Sequence, residues 1–522
     1  MSIAHSKSPS EAPSQETLKT FETLEFQENK QLPESDQSSV ESLPNSQTVI
    51  VTWENEQDPL NPLNWATSRK WFNVLLIVMQ ATLSPIASTI LAIGAGEIAK
   101  EFELRNPKLP SLPTALYVLG IGSGPLVLAP FSELYGRRLI YLSSFACFTL
   151  LNVGCALSPN IAALSTLRFL SGIAGSVGPS LSAGSVGDMF TVAERGKAQA
   201  LASFGPVFGP VLGGVIGGFI VYHTTGWRWL LWTVAIAAGT VTFAGIFFLR
   251  ETYAPYLLEL KASKLRKANP DVEYQTETVK PAGGAKRIIA HSLGRPVRML
   301  FTSPILAFMA IYQSLIYGIL YLHLITILLL YGPTPLYGLY SYQFQSGLTG
   351  LAYLGAGSGA FVGMVLTAKF MNRSFAAALA RQQRKTGNAV PTPEMRIPFL
   401  QLGMLVVPFG LIIFAWSAGR SHWVVPLIGA FFFGIGMLMG YVCIQSYLVD
   451  CFGRYSASAL AAVIVARCPI TFLFCFFGFE MYRNLGYDWG SMLLAFLCIA
   501  MIPIPFILKK YGPQLRAKQT VY

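Results

Sequence analysis

Gln313, Tyr317 and Tyr321 recur at four-residue steps and so share one face of any helix that carries them. Tyr441 and Gln445 repeat the step, and Gln80 lies in an earlier apolar run. Aromatic rings with a few amides on facing helices suit a pocket for a lipophilic ligand, the rings giving area and the amides a few directed hydrogen bonds. At the same spacing these residues serve equally well as helix packing or interfacial tyrosines. Arg168 is a candidate of another kind: a charge inside an apolar run is costly, so it faces a cavity or a partner unless it snorkels to a nearby surface. Acids able to exchange a proton stand only near the ends of such runs, at Glu97, Asp188, Asp450 and Glu480, and Asp188 is the first choice to act with Arg168. His323 lies near the middle of a run and can titrate, although a hydrogen-bonded packing role is the commoner one.

Two further stretches carry mechanism in their spacing. Gly205, Gly209 and Gly213 recur every four residues, with Pro206 and Pro210 beside two of them and Gly214 following. Such glycines make a smooth stripe for close helix contact, and each proline removes a backbone donor and bends the helix. The short connection Glu133-Leu134-Tyr135-Gly136-Arg137-Arg138 sets a carboxylate, a glycine turn and two arginines together. There Glu133 is expected near a helix N-terminus, where a negative charge gains roughly 0.3–1 kcal/mol, and Arg137 is expected to pair with Asp188.

The elements that must position these residues follow from composition. Of 522 residues 52% are hydrophobic and 12% charged, mean hydropathy is +0.48, and a soluble domain carries roughly twice that charged fraction. Twelve apolar runs reach the ~20 residues that a bilayer span needs: near 72–94, 112–132, 138–158, 162–186, 199–222, 228–249, 304–330, 346–369, 398–418, 423–446, 456–480 and 488–508. With both termini inside, thirty Lys and Arg fall in inner gaps and six in outer ones (Lys100, Arg105, Lys108, Arg228, Arg420 and Arg483), leaving Arg168 and Arg467 within spans. That split is the positive-inside bias, and it explains the net charge of +12 without nucleic acid. The fold class is an all-α membrane protein.

Residues 1–48, rich in Ser, Glu, Gln and Pro, read as a disordered cytosolic tail, and 49–71 as an amphipathic lead-in whose tryptophans suit the headgroup layer. Residues 72–250 form a first six-helix half and 304–508 a second. Between them 251–303 is a basic cytosolic loop expected to include a helix on the inner leaflet, and 509–522 is a cytosolic C-terminal tail. A 6 + 6 layout suits two pseudo-symmetric halves. The seven cysteines lie in or beside spans at no metal or disulfide spacing, and read as packing residues. No phosphate-binding Gly-x-x-x-x-Gly-Lys-Ser/Thr loop is present, so an ion gradient is the expected energy source.

Ala129 to Arg138 resembles the loop signature of the major facilitator superfamily in its fungal form, with Ala129 where a glycine is usual. Leu164 to Gly175 resembles the family's fourth-span motif, whose arginine has a part in proton coupling, which the resemblance assigns to Arg168. Gly205 to Gly214 fits the antiporter motif G-x-x-x-G-P-x-x-G-G at every specified position, a mark of exporters. Trp227-Arg228-Trp229, Arg250 to Pro255, Pro393 to Arg396 and Tyr441 to Asp450 extend the likeness over about 52–516, to the fungal twelve-span drug:proton antiporter family. The sugar-porter signature after span 6 is absent. Ala461-Ala462-Val463 departs from an asparagine that relatives often carry, and the aliphatic Ile325 to Leu330 is unusual; both point to a substrate preference of its own.

The resemblance implies a plasma-membrane exporter that exchanges protons for lipophilic drugs, fungicides or an endogenous secondary metabolite by alternating access. It implies a monomer with no cofactor other than the proton gradient, with Glu133, Gly136, Arg137 and Arg138 as a conformational latch. An importer or a non-transporting nutrient sensor of the same fold are the alternatives. A polytopic enzyme is disfavoured, because five scattered histidines make no catalytic cluster.

Overall fold

The computed structural model describes residues 48–517 apart from 56, 192–193, 225, 271, 277–293, 334, 336–337, 388–391 and 454–455. The expectations for the N-terminal tail, for much of the central loop and for 518–522 therefore fall outside the described residues. Within them, eleven helical runs are long and apolar enough to cross a membrane. The first half of the chain supplies α1 (Thr67–Ile90), α2 (Leu112–Tyr135), α3 (Arg137–Ala156), α4 (Ile161–Gly175) running into α5 (Val177–Met189), α6 (Arg195–His223) and α7 (Arg228–Phe248). After α8 (Ala254–Ala268) come α9 (Pro304–Tyr331), α10 (Ser346–Ala352), α11 (Leu354–Thr386), α12 (Ile397–Ser417), α13 (Val424–Phe452), α14 (Ser456–Met501) and α15 (Pro503–Ala517).

Local chemistry sets several boundaries. Asn160 caps α4 by accepting from the Ala163 amide at 2.8 Å. Gly136, at φ +84°, ends α2 and starts α3 in a conformation that other residues avoid. The 46-residue α14 is two helices joined at Gly486, where φ is 73° and ψ is 175°. Past the expected span limit of 369, α11 continues as helix to Thr386 and stops at the left-handed Gly387. Its 33 residues extend about 50 Å, more than a ~30 Å hydrocarbon layer holds. In the C-terminal tail, 509–517 continue α15 as helix.

Buried apolar side chains form two large clusters, one drawn from residues 74–249 and one from 299–508 joined by Ala115, Val118 and Val211. Outward the helices present Leu150, Ile236 and Phe243, each more than 60% exposed, as a lipid-facing surface requires. The two clusters meet where α2 lies on α14 and α6 lies on α10 and α11.

The lead-in at 49–71 is held to the central loop. Thr48–Val51 is a strand, β1, paired in parallel with β2 (Glu273–Thr276) from the central loop. Asp58, only 3% exposed, organises the next turn. Its carboxylate accepts from Leu60 at 2.8 Å and Glu54 at 3.2 Å, and Lys261 of α8 lies 3.9 Å away. The Leu60 amide leads in holding this carboxyl below its ordinary pKa, helped by Glu54 and Lys261 against the opposing effect of burial. A lowered pKa makes the turn's extra stability fully present above the ordinary carboxylate range and loses it as pH falls through the folded value. Asp58→Ala is expected to raise the rate of limited proteolysis within 52–66 by about tenfold at neutral pH, the size of losing ~1.4 kcal/mol. Unchanged cleavage would show that β1 alone holds the strap.

Candidate functional site

At the junction of the two clusters lies a cavity of about 20 Å³, lined by Pro85 of α1, Val118 and Ile121 of α2, Pro179 of α5, Pro206 of α6, Tyr317 and Tyr321 of α9, and Arg467 and Cys468 of α14. That volume is room for about one water. The Tyr317 ring lies 5.7 Å from Tyr321 and 6.4 Å from Tyr441 of α13. The Tyr317 hydroxyl donates to the Pro206 carbonyl at 3.1 Å, and Tyr321 shares a 2.8 Å hydrogen bond with Ser88 of α1. Three of the six pocket candidates thus come together as one aromatic wall. The amides do not join it by any hydrogen bond: both polar atoms of Gln80 and Gln313, and the Gln445 Oε1, are buried and unpartnered. His323 is packed but not hydrogen-bonded, correcting that expectation. It sits between Phe414 and Phe433 at 4.5 and 5.2 Å, with both ring nitrogens unpartnered.

Two arginines are buried in this region. Arg168 is fully buried, donates from Nη2 to the Ala87 carbonyl at 2.5 Å and stacks 4.1 Å from the Tyr117 ring. Its buried position rules out snorkelling. Arg467, 4% exposed, stacks 4.1 Å from the Tyr317 ring with Tyr441 beside it, and its Nε and Nη1 have no hydrogen-bond partner. A desolvated cation–π contact is worth about 2 kcal/mol, whereas burying a charge costs several, so that contact alone does not offset the burial of either charge. The sequence reading passed over Arg467 although the argument used for Arg168, a cation inside a span, applied to it equally.

Arg168 and Asp188 are not neighbours. Twenty residues of nearly continuous helix separate them, about 30 Å of rise. The sequence reading joins the two in one proton path, and such a path has that length to cover.

The glycine stripe of α6 lies on α1. A Cβ at Gly205 would come 2.7 Å from the Ala81 carbonyl, one at Gly209 2.5 Å from the Pro85 Cβ, and one at Gly213 would collide with Thr89 and sit 2.5 Å from the Ile86 carbonyl. Gly214 faces the other way, against the Tyr353 ring of the following segment. The prolines have partners of their own. Pro210 has no N–H to offer the Pro206 carbonyl, and that carbonyl is the one Tyr317 occupies. Pro210 in turn accepts from Thr89 at 2.7 Å. The stripe is therefore tied directly to the aromatic wall.

At the Asp188 end, Arg137 Nε donates to Asp188 Oδ2 at 2.5 Å, and its guanidinium lies 5.0 Å from the Tyr253 ring. The acid at the helix N-terminus is Glu251, not Glu133. Glu251 accepts from the Arg137 and Arg138 amides, each at 2.9 Å, capping α3 from 114 and 113 residues away. Glu133 instead lies exposed on the last turn of α2. Arg138 reaches the Ile246 carbonyl at 2.9 Å. A Cβ on Gly136 would stand 2.5 Å from Glu251 Oε2, so glycine serves both the backbone and the cap. In the second cluster, Arg396 Nε meets Asp450 Oδ2 at 2.6 Å and Arg516 meets Glu394 at 2.9 Å. Among the described residues no group of three or more His, Cys, Asp or Glu is placed to hold a metal ion.

Comparison with known proteins agrees with this architecture. The Major Facilitator Superfamily profile matches residues 73–474. The MFS-type transporter penM of Penicillium rubens is 37% identical over 468 residues, covering 90% of this chain and 89% of that protein. The efflux pump radE of Floropilus chiversii is 36% identical over 472 residues, covering 90% of this chain and 85% of that protein. The inward open xylose transporter XylE from E. coli aligns at TM-score 0.58 and 15% identity over 83% of this chain and 95% of its own, a likeness of fold alone.

Proposed function

The chain belongs to the major facilitator superfamily, whose members are carriers and not enzymes, and from that premise we propose that it exports a lipophilic small molecule in exchange for protons. Secondary active transport of a small organic molecule across a membrane follows from the family. The direction rests on one observation: the complete α6 glycine stripe, seated on α1 and tied through Pro206 to the aromatic wall. One relative carries the name efflux pump, in keeping with a drug, fungicide or secondary metabolite as cargo.

The break at Gly486 supports reading α14 and α15 as two traversals, for a total of twelve, six on each side of the central loop. Matching ion pairs support two pseudo-symmetric halves. Arg137 pairs with the acid closing the run two spans later, Asp188, and Arg396 does the same with Asp450. We place the protein in the plasma membrane as a monomer with both termini cytosolic, following the positive-inside bias. In that orientation the outer ends of the halves are joined, by Lys108 to Glu480 at 2.5 Å and by Gly218 against Gly350. Alternating access then means opening those contacts while the inner ends close. Proton coupling is assigned to Asp188 acting through its pair with Arg137, and Arg168 acts separately at the core.

The test is accumulation of a panel of lipophilic fluorescent compounds in yeast lacking its own efflux pumps. Cells carrying the intact chain are expected to hold severalfold less of at least one compound. Arg168→Ala, at equal surface level, and a protonophore should each erase that difference. Efflux that survives the protonophore would overturn proton exchange, and net uptake would overturn the direction.

A further inference from the structure

The cavity has apolar walls and one charge, which rests on Tyr317 and Tyr441 but has no counter-charge. Val118, Ile121, Pro85 and Pro206 line it beside Tyr317 and Tyr321, and Arg467 enters with Nε and Nη1 unpartnered. Among the described residues no carboxylate pairs with this guanidinium. The acids within the spans are Glu97, Glu101, Glu133, Asp188, Asp450, Glu480 and Asp488, all toward helix ends, and none can replace the missing counter-charge at mid-span. Arg168 also leaves Nε and Nη1 unpartnered, but it is fixed to the Ala87 carbonyl and absent from the cavity wall.

We propose that the cargo is a lipophilic organic acid, bound as its anion with the acidic group on Arg467 and the apolar body against Tyr317, Tyr441 and the α2 face. The assignment rests on the reading of this chain as a carrier of small organic molecules. A buried cation without a counter-charge is expensive in every step of a transport cycle, and an anionic cargo neutralises it only when bound. Binding therefore changes the stability of the packed junction, as a carrier requires of its substrate. The position of the charge fits this role. Cys468, next in sequence, packs on Gly122 of α2 where the two halves meet, so cargo large enough to reach Arg467 must part α2 from α14. Gln313, one turn below Tyr317 with its amide unpartnered, supplies further hydrogen bonds once the cavity widens.

The experiment measures binding to the full chain in lipid nanodiscs, by energy transfer from tryptophan to bound probe, with empty nanodiscs as the partition control. The probes are matched acid and primary-amide pairs at pH 7.5: pyrenebutyric acid with pyrenebutyramide, and naphthyl and diphenyl pairs of graded size. At least one acid is expected to bind tenfold or more tightly than its amide. In Arg467→Gln that acid falls to the level of the amide, and Arg467→Lys keeps part of the preference. Equal binding of acid and amide in every pair, no binding by any acid, or a preference that persists in a folded Arg467→Gln overturns the proposal. The wild-type ratio decides even where a variant fails to fold. Efflux in the yeast assay separates the two readings: acid-selective binding without efflux keeps the anion site and sinks export. Efflux of neutral compounds with no preference for acids does the reverse.

Discussion

Gly213→Val is expected to reduce efflux at least tenfold while leaving the protein in the membrane. The Cβ alone would collide with Thr89 and stand 2.5 Å from the Ile86 carbonyl, and valine adds two methyls to that crowding. Overpacking of this kind costs ~1–3 kcal/mol where neighbours can shift. Here the neighbours are α1 backbone and a threonine hydroxyl already bonded to Pro210 at 2.7 Å, so relief requires α1 and α6 to part. Parting them withdraws Pro206 from Tyr317, which moves the aromatic wall as well. Gly209→Ala, 2.5 Å from the Pro85 Cβ, should show a smaller loss in the same direction. Gly96→Ala is the control, since a Cβ there meets nothing within 4 Å. Surface-normalised transport of the three variants decides the matter. Gly213→Val at wild-type rates would show that the stripe is ordinary packing with no part in the cycle.

Legibility followed the range of the interaction. Span positions were readable because apolar length is a property of one segment, and the observed helices overlie the expected runs from 72–94 onward. The α6 stripe was readable for a related reason, since four-residue spacing places glycines on one face before any partner is known. Which helix that face meets was not readable, nor was the link from Pro206 to Tyr317, 111 residues away. Glu251 shows the limit most clearly. A capping acid is ordinarily sought beside its helix, and here it arrives from beyond α7, leaving Glu133 as the natural but mistaken choice. Pairing Arg137 with Asp188 was within reach because both stood at run ends on one side. The distance between Arg168 and Asp188 follows from their places in one run, Arg168 near its start and Asp188 at its end. Arg467 was visible as the second in-span cation, yet nothing in a linear chain distinguishes a cation with a distant counter-charge from one with none.

Those end-of-run contacts carry the second large effect. Arg137→Ala and Asp188→Asn are each expected to lower the maximal efflux rate about tenfold, with little change in the substrate concentration giving half that rate, because both lie far from the cavity. Removing the arginine leaves Asp188 the Thr252 hydroxyl at 3.4 Å, whereas removing the charge from Asp188 leaves Arg137, beside the Tyr253 ring, without its ion-pair partner. If the residues act as one latch, the double variant falls no further than either single, a coupling of roughly 1–2 kcal/mol in a double-mutant cycle. Additive losses would show that they act independently. Asp188→Asn carries a second test, because an amide imitates a protonated acid: its residual efflux should lose its dependence on the proton gradient, whereas Arg137→Ala should keep it. Glu251→Gln belongs in the same series. Its amide has one oxygen where the α3 cap uses two, each at 2.9 Å, so it should lower rate and thermal stability together. Gradient dependence that is lost in Asp188→Asn but kept in Glu251→Gln would locate coupling in the ion pair, with the cap holding it in place. Loss in both variants would assign coupling to the geometry of the loop as a whole.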